Sequence, residues 1–193
     1  MLVGVLVVVG ALVAGGGSSG RYACGQLLAP GGTTEDGQVT DDMGRQHVQP
    51  GTTLSYRFCP PTSGTHYQTQ AGVSPARPGF YGPDADIGPG NWVHNLEHGY
   101  AVALYRCENG VCPSDEVLAE VRRFVNNAPQ TPGAQRCGIR AKVVATRFDD
   151  MSTPFAVLTW DRALLLQAWD VDDALAFAQR WMENAVAPEP SFC

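Results

Sequence analysis

Lysine is almost absent from this chain of 193 residues, in which Lys142 is the single example. The 13 basic residues are outnumbered by 19 acidic ones, which gives a formal net charge of −6. Because no run of Lys or Arg occurs, the sequence lacks the electrostatic footprint of a nucleic-acid-binding protein, and we expect no nucleic-acid partner. Charged residues make up only 17% of the chain and hydrophobic residues 44%. This balance excludes a disordered polar chain and predicts a domain with a buried core.

The cysteines and Ser63 also lack two common catalytic signatures. No Cys-x-x-Cys pair occurs, so the chain lacks the usual mark of a thioredoxin-type redox site. Ser63 does not stand in a Gly-x-Ser-x-Gly elbow either, because Pro61 and Thr65 occupy the two glycine positions, and this argues against Ser63 as the nucleophile of a serine hydrolase. We expect the Ser63 hydroxyl to bond the backbone of its own Thr-Ser-Gly turn.

The one long apolar run, residues 2–14, is too short to cross a bilayer. A helix of this length rises about 20 Å, against roughly 30 Å of hydrocarbon. An apolar run followed by a Gly/Ser-rich linker is typical of a signal peptide. We predict a signal peptide or an N-terminal anchor in residues 1–20 and a single exported domain, periplasmic or extracellular, in residues 21–193. Membrane attachment through the N-terminus is the competing interpretation, and the sequence identifies no protein partner.

Six cysteines in an exported chain predict three disulfides. Asn109-Gly110 is a strong signal for a two-residue hairpin, because both positions tolerate a positive φ. That turn places Cys107 opposite Cys112 at disulfide distance, and we predict this pair. The other four cysteines allow three pairings, among which the sequence does not choose: Cys24, Cys59, Cys137 and Cys193.

The fold class predicted from hydrophobic periodicity is α+β. We expect a single mixed or antiparallel sheet of four or five strands with two packed helices and a long, loop-rich N-terminal half. Ser114 is predicted to cap the first helix and Asp170 the second, which is expected to run to residue 185. The predicted strands are residues 53–58, 100–107, 142–148, 155–160 and 163–169.

All four histidines lie in the loop-rich half, at positions 47, 66, 94 and 98. His94 and His98 are four residues apart, so one helical turn brings both imidazoles to the same face, where they can share a metal ion. Glu97 precedes the second histidine and is a third candidate ligand, a general base or an acceptor that orients an imidazole. We therefore predict a metal site formed by His47, His66, His94, His98 and Glu97.

Three functions are compatible with this cluster. The first is an exported, disulfide-stabilised protein that binds one divalent transition metal, copper or zinc, without catalysing a reaction. The second is a metal-dependent hydrolase with Glu97 as general base. His94-x-x-Glu97-His98 has the letter pattern of inverzincin peptidases, but Gly99 and the β-rich run after it end the helix at once. The third is a metal-free structural or interaction module of the cell envelope.

Three motifs carry a family resemblance: Pro60-Pro-Thr-Ser-Gly-Thr-His66, Gly79-Phe-Tyr81 and His94-Asn-Leu-Glu-His-Gly99. With them, roughly residues 41–190 resemble the uncharacterised bacterial family called domain of unknown function 3105. The resemblance implies an exported or membrane-anchored bacterial protein with one such domain, and no settled activity. One departure is Thr159-Trp160-Asp161, where relatives tend to have Ala-Trp-Gly, so we expect a different turn there.

Overall fold

The structure, a computed structural model, describes residues 22–32, 36–85, 87–184 and 186–193. The predicted leader, residues 1–20, lies outside these described residues. The strands are β1 (Tyr22–Leu27), β2 (Gln38–Val39), β3 (His47–Val48), β4 (Leu54–Cys59), β5 (His66–Tyr67), β6 (Gly79–Phe80), β7 (Ala101–Tyr105), β8 (Val143–Arg147), β9 (Phe155–Thr159) and β10 (Arg162–Leu166). The helices are α1 (Pro89–Glu97), α2 (Asp115–Asn127), α3 (Pro132–Arg136) and α4 (Val171–Trp181).

The main sheet has six strands in the order β2-β10-β9-β7-β8-β6. It is mixed, because β7 runs parallel to β8 and antiparallel to β9. The α+β class is as predicted, but the expected single sheet of four or five strands with two helices is wrong. Over the described residues there are also two parallel two-stranded ladders, β1-β4 and β3-β5, and four helices. The strands missed at the sheet edges, β2 and β6, are two residues long, too short to show any alternation of hydrophobicity.

The sheet separates two apolar cores because successive side chains of a strand point to opposite faces. Ala101, Ala103 and Tyr105 of β7 pack with the buried residues of α2 and α4. Val102 and Leu104 pack on the other face, against the helix α1 and the loop-rich half. Helix α1 is thereby fixed against the sheet on the side where the histidines lie.

Side-chain caps define where the two long helices begin. Ser114 Oγ accepts from Val117 N at the start of α2, and Asp170 accepts from two backbone amides at the start of α4. Both caps were predicted from the sequence. Helix α4 ends at Trp181, several residues before the predicted end at residue 185, a position outside the described residues.

Three disulfides link the six cysteines, in the pairs Cys24–Cys59, Cys107–Cys112 and Cys137–Cys193. Asn109 and Gly110 adopt φ values of 50° and 81°, as a two-residue hairpin requires. Disulfides persist in oxidising compartments, so these pairs indicate an oxidising environment. Across the part of the chain that the structure describes, no helix is both long and apolar enough to span a membrane.

The turn between β9 and β10 consists of Trp160 and Asp161. Asp161 adopts φ 54°, the left-handed conformation that glycine adopts most readily. This is the position at which the resemblance implies glycine. Asp161 adopts this conformation with a side chain that tolerates it better than most.

Candidate metal centre

The first two histidines are brought together by the short parallel ladder of β3 and β5. His47 is the direct partner of His66 in its register. The ladder is extended by hydrogen bonds from Gly64 N to Gly44 O at 2.7 Å and from His66 N to Gln46 O at 2.9 Å. As a result, the two imidazole centroids are only 4.5 Å apart, with the rings edge to face.

The other two histidines come from the C-terminal end of helix α1. Pro89 occupies the first turn, and the Asn91 side chain accepts from Gly88 N at 3.1 Å, so both features favour a helix that begins here. The helix ends at Glu97, and Gly99 turns the chain with φ 78°. One helical turn separates His94 and His98, whose ring centroids are 4.6 Å apart. The short helix followed by β7 differs from the long helix of inverzincin peptidases.

The three elements β3, β5 and α1 converge on the Glu97 carboxylate. Its Oε2 atom lies 3.0 Å from His66 Nε2 and 3.2 Å from His47 Nε2. The ring centroids of His66 and His94 are 5.0 Å apart, and those of His47 and His94 are 5.1 Å apart. His66 and His94 are 0% and 1% exposed, and Glu97 1%, whereas the His47 side chain is 38% exposed. The centre is therefore buried and reaches solvent at His47.

Backbone carbonyls fix the orientation of the two deepest imidazoles. His66 Nδ1 lies 2.8 Å from Gly64 O, and His94 Nδ1 lies 2.7 Å from Tyr67 O. A carbonyl oxygen only accepts, so Nδ1 carries the proton in both rings and the neutral imidazole has its lone pair on Nε2. Ser74 Oγ lies 3.2 Å from His94 Nδ1 and donates to Tyr67 O at 2.9 Å. Such outer partners are typical of metal-binding histidines.

The centre has more hydrogen-bond acceptors than protons to join them. When His66 is neutral, its bare Nε2 and the ionised Oε2 of Glu97 are both acceptors, yet they lie 3.0 Å apart. Glu97 Oε1 is buried and has no hydrogen-bond partner. Two adjacent acceptors in a buried site require a cation between them, either a proton or a metal ion.

Burial and mutual contact set the charges of this cluster. Burial raises the pKa of Glu97, but the His66 hydrogen bond and the neighbouring imidazoles outweigh it, so the net pKa is lowered. Burial lowers the pKa of His94. Burial, followed by the charge of His94, lowers the pKa of His98 to about 4. An ionised Glu97 beside neutral His94 and His98 is the protonation state that metal binding requires.

The predicted ligands form two overlapping groups instead of one. Ligand atoms of His47, His66 and His94 lie within 4.8 Å of one another, as do those of His94, Glu97 and His98. His98 does not belong to the same group as His47 and His66. Its Nε2 lies 3.6 Å from Glu189 Oε2, and its Nδ1 is buried without a hydrogen-bond partner.

Sequence reasoning missed three residues that support the imidazoles: Tyr67, Ser74 and Glu189. Two of them contact His94 through a backbone carbonyl and a single hydroxyl, groups that leave no spacing signal in a sequence. Ser63, which the sequence analysis did not favour as a nucleophile, accepts from Met43 N at 3.0 Å. Its hydroxyl thus bonds the backbone of a neighbouring segment and not that of its own turn.

Comparison with known proteins gives the family but no activity. No curated protein and no solved structure matches the chain. A family model described as "Protein of unknown function (DUF3105)" matches residues 47–192, a span that includes all four histidines and Glu97. Because this match covers well over half of the chain, the protein belongs to the DUF3105 family.

Proposed function

We propose that this protein binds one divalent transition metal ion through His47, His66, His94 and the Glu97 carboxylate, and that it does so without catalysing a reaction. The observation that carries the proposal is the set of unshared electron pairs at the centre. The Nδ1 protons of His66 and His94 are engaged by Gly64 O and Tyr67 O. In the neutral rings, the Nε2 lone pairs are therefore free for a cation next to an ionised carboxylate.

The separations suit a small ion. Donor atoms around a tetrahedral ion at about 2.0–2.1 Å are roughly 3.3 Å apart. Glu97 Oε2 is already 3.0 and 3.2 Å from the nearer nitrogens of His66 and His47. Three imidazoles and one carboxylate favour Cu(II) or Zn(II) over harder cations such as Mg(II) or Ca(II).

Four protein donors favour storage, delivery or a structural role over hydrolysis. A catalytic zinc ion keeps an open position for water, which three protein ligands leave and four do not. Glu97 Oε2 lies within 3.2 Å of Nε2 of both His66 and His47, which favours a ligand over a general base that acts on a bound water. The metal-dependent hydrolase is thus the alternative that the experiments must exclude.

Export is part of the same proposal. Three disulfides support an oxidising, extracytoplasmic location. The net charge of −6 supports a partner other than nucleic acid. An export signal or anchor in residues 1–20 is a prediction from the sequence, testable by N-terminal sequencing of the exported protein.

The test is metal content. The full chain, expressed into an oxidising compartment and purified without a histidine tag, is expected to contain or take up about one Cu(II) or Zn(II) per chain by mass spectrometry. His94→Ala should lose it, whereas Glu108→Gln, a matched control at an exposed carboxylate, should keep it. Added Zn(II) at 100 times its Kd should stabilise the wild type by about 2.7 kcal/mol. A wild type that binds neither ion and whose melting temperature ignores chelators would overturn the proposal.

A further inference from the structure

His98 lies beside the proposed site but is not needed to complete it. We call His47, His66 and His94 the outer triad, and His94, Glu97 and His98 the inner triad; within each, the ligand atoms are at most 4.8 Å apart. All three residues of the inner triad are buried, while the outer triad includes the partly exposed His47. His94 belongs to both.

Two buried atoms of the inner triad have no hydrogen-bond partner: Glu97 Oε1 and His98 Nδ1. The Glu189 carboxylate lies 3.6 Å from His98 Nε2, so the ring proton is favoured on Nε2, where it faces a negative charge. Nδ1 then carries a bare lone pair. Buried polar atoms in native proteins are nearly always paired, and two unpaired electron-pair donors within one triad indicate a missing cation.

We infer that the centre offers two overlapping positions to a single metal ion, one at the outer triad and one at the inner triad, with His94 common to both triads and Glu97 Oε2 also within 3.2 Å of His47 and His66. This inference rests on the proposed function. His94 has a single lone pair to give, because its Nδ1 hydrogen bonds to Tyr67 O at 2.7 Å. Both positions therefore cannot use His94 at once, and the ion exchanges between them.

The C-terminal segment closes the inner position. Glu189 N donates to Glu97 O at 3.0 Å, and the Phe192 ring lies 5.8 Å from that of His98. The buried Lys142 ammonium donates to Pro190 O and Phe192 O at 2.9 and 2.7 Å. The segment ends in the disulfide Cys137–Cys193. An ion at the inner triad is thereby shielded from solvent and from chelators, whereas the outer triad serves as the point of capture.

The test uses Co(II) as a spectroscopic probe, added to chelator-treated full-length protein. The double variant His47→Ala/His66→Ala leaves only the inner triad intact and should still bind about one Co(II). The variant His98→Ala leaves only the outer triad intact. The visible spectra of Co(II) bound to these two variants should differ. His94→Ala should lose Co(II) binding, because His94 is common to both. Far-UV circular dichroism checks folding, and the single variant His47→Ala, at a partly exposed position, serves if the double variant fails to fold.

Release rates give a second readout. In excess EDTA, the His98→Ala variant should release Co(II) about 10-fold faster than the wild type, because it lacks the shielded position. The matched control Glu120→Gln, at an exposed carboxylate, should release Co(II) at the wild-type rate. If every variant that lacks His47 fails to bind Co(II) while the wild type binds it, the inference of two positions is wrong, but the proposed function is not contradicted. A wild type that binds no Co(II), Zn(II) or Cu(II) would overturn both.

Discussion

Glu97 is the side chain whose replacement distinguishes a ligand from a catalytic base. Glu97→Gln keeps the size and shape of the group but replaces one acceptor oxygen by an NH₂ donor that faces the His66 Nε2 lone pair, 3.0 Å away. We expect the affinity for Zn(II) to fall at least about 10-fold. We expect the metal-free variant at pH 8 to be more stable than the metal-free wild type, by about 1 kcal/mol for the hydrogen bond gained.

Isothermal titration with Zn(II) and chemical denaturation in EDTA measure these two opposite effects. If Glu97 were a general base, Glu97→Gln would keep full metal affinity and lose only a hydrolytic rate. A variant that binds Zn(II) as tightly as the wild type would therefore contradict the role of Glu97 as a ligand.

The Asp161 carboxyl group is expected to make the stability of the fold decrease as the pH rises. Burial raises its pKa, against a hydrogen bond to Ser63 that lowers it. Since the folded pKa exceeds the unfolded one, this group favours the fold at low pH, and its contribution is lost as the pH rises through the folded pKa. Asp161→Asn keeps a residue that tolerates the positive φ and removes the charge. Its gain in melting temperature should be larger at pH 7 than at pH 3.5, as differential scanning calorimetry can measure; an equal gain at both values would contradict the burial of this charge.

Helix α1 approaches β5 so closely that only glycine fits between them. A Cβ atom on Gly90 would lie 2.5–2.7 Å from the Tyr67 ring, and the Tyr67 carbonyl is the partner of His94 Nδ1. Although alanine favours helix by up to about 1 kcal/mol, overpacking costs about 1–3 kcal/mol. We expect Gly90→Ala to destabilise the protein and to weaken metal binding, because the helix must shift relative to His66.

Gly82→Ala is the matched control, because a Cβ atom there meets nothing within 4 Å. Its unfolding midpoint and Zn(II) affinity should match the wild type. A Gly90→Ala protein with wild-type affinity would show that the position of α1 against β5 does not control the centre.

The elements that could be predicted are those with a local physical signal. Ser114 and Asp170 cap their helices, and β4 alternates buried and exposed residues from Leu54, so composition and periodicity were sufficient. The parallel ladder of β3 and β5 had no such signal, because it is two residues long and pairs positions 47 and 66. Its register depends on tertiary contacts, which periodicity does not encode.

The candidate site was predicted in part for the same reason. The spacing of His94 and His98 follows from helical geometry alone, and their proximity is visible in the sequence. The division into two triads that share His94 was not visible in the sequence, because it depends on the Tyr67 and Gly64 carbonyls and on Glu189. Those groups are supplied by segments distant in the sequence.

At the scale of the whole molecule, the disulfides differ in the length of the loop that each one closes. Cys107–Cys112 spans a separation of 5 residues and Cys137–Cys193 one of 56. Loop-closure entropy predicts stabilisations of about 2 and about 4 kcal/mol. Cys137→Ser/Cys193→Ser should therefore be clearly less stable in urea than Cys107→Ser/Cys112→Ser. Equal losses would show that the loops are already restrained in the unfolded chain.

The ladder that pairs His47 with His66 has a consequence for the stability of the protein towards reductants, acid and chelators. A metal ion held by these two residues and His94 would join three distant stretches of backbone, as a fourth covalent bridge would. Reductants break the three disulfides but leave metal coordination by nitrogen and oxygen intact. Acid and chelators remove the metal ion but leave the disulfides intact. A protein held together by disulfides and by a metal ion would therefore lose only one of these two links under either treatment.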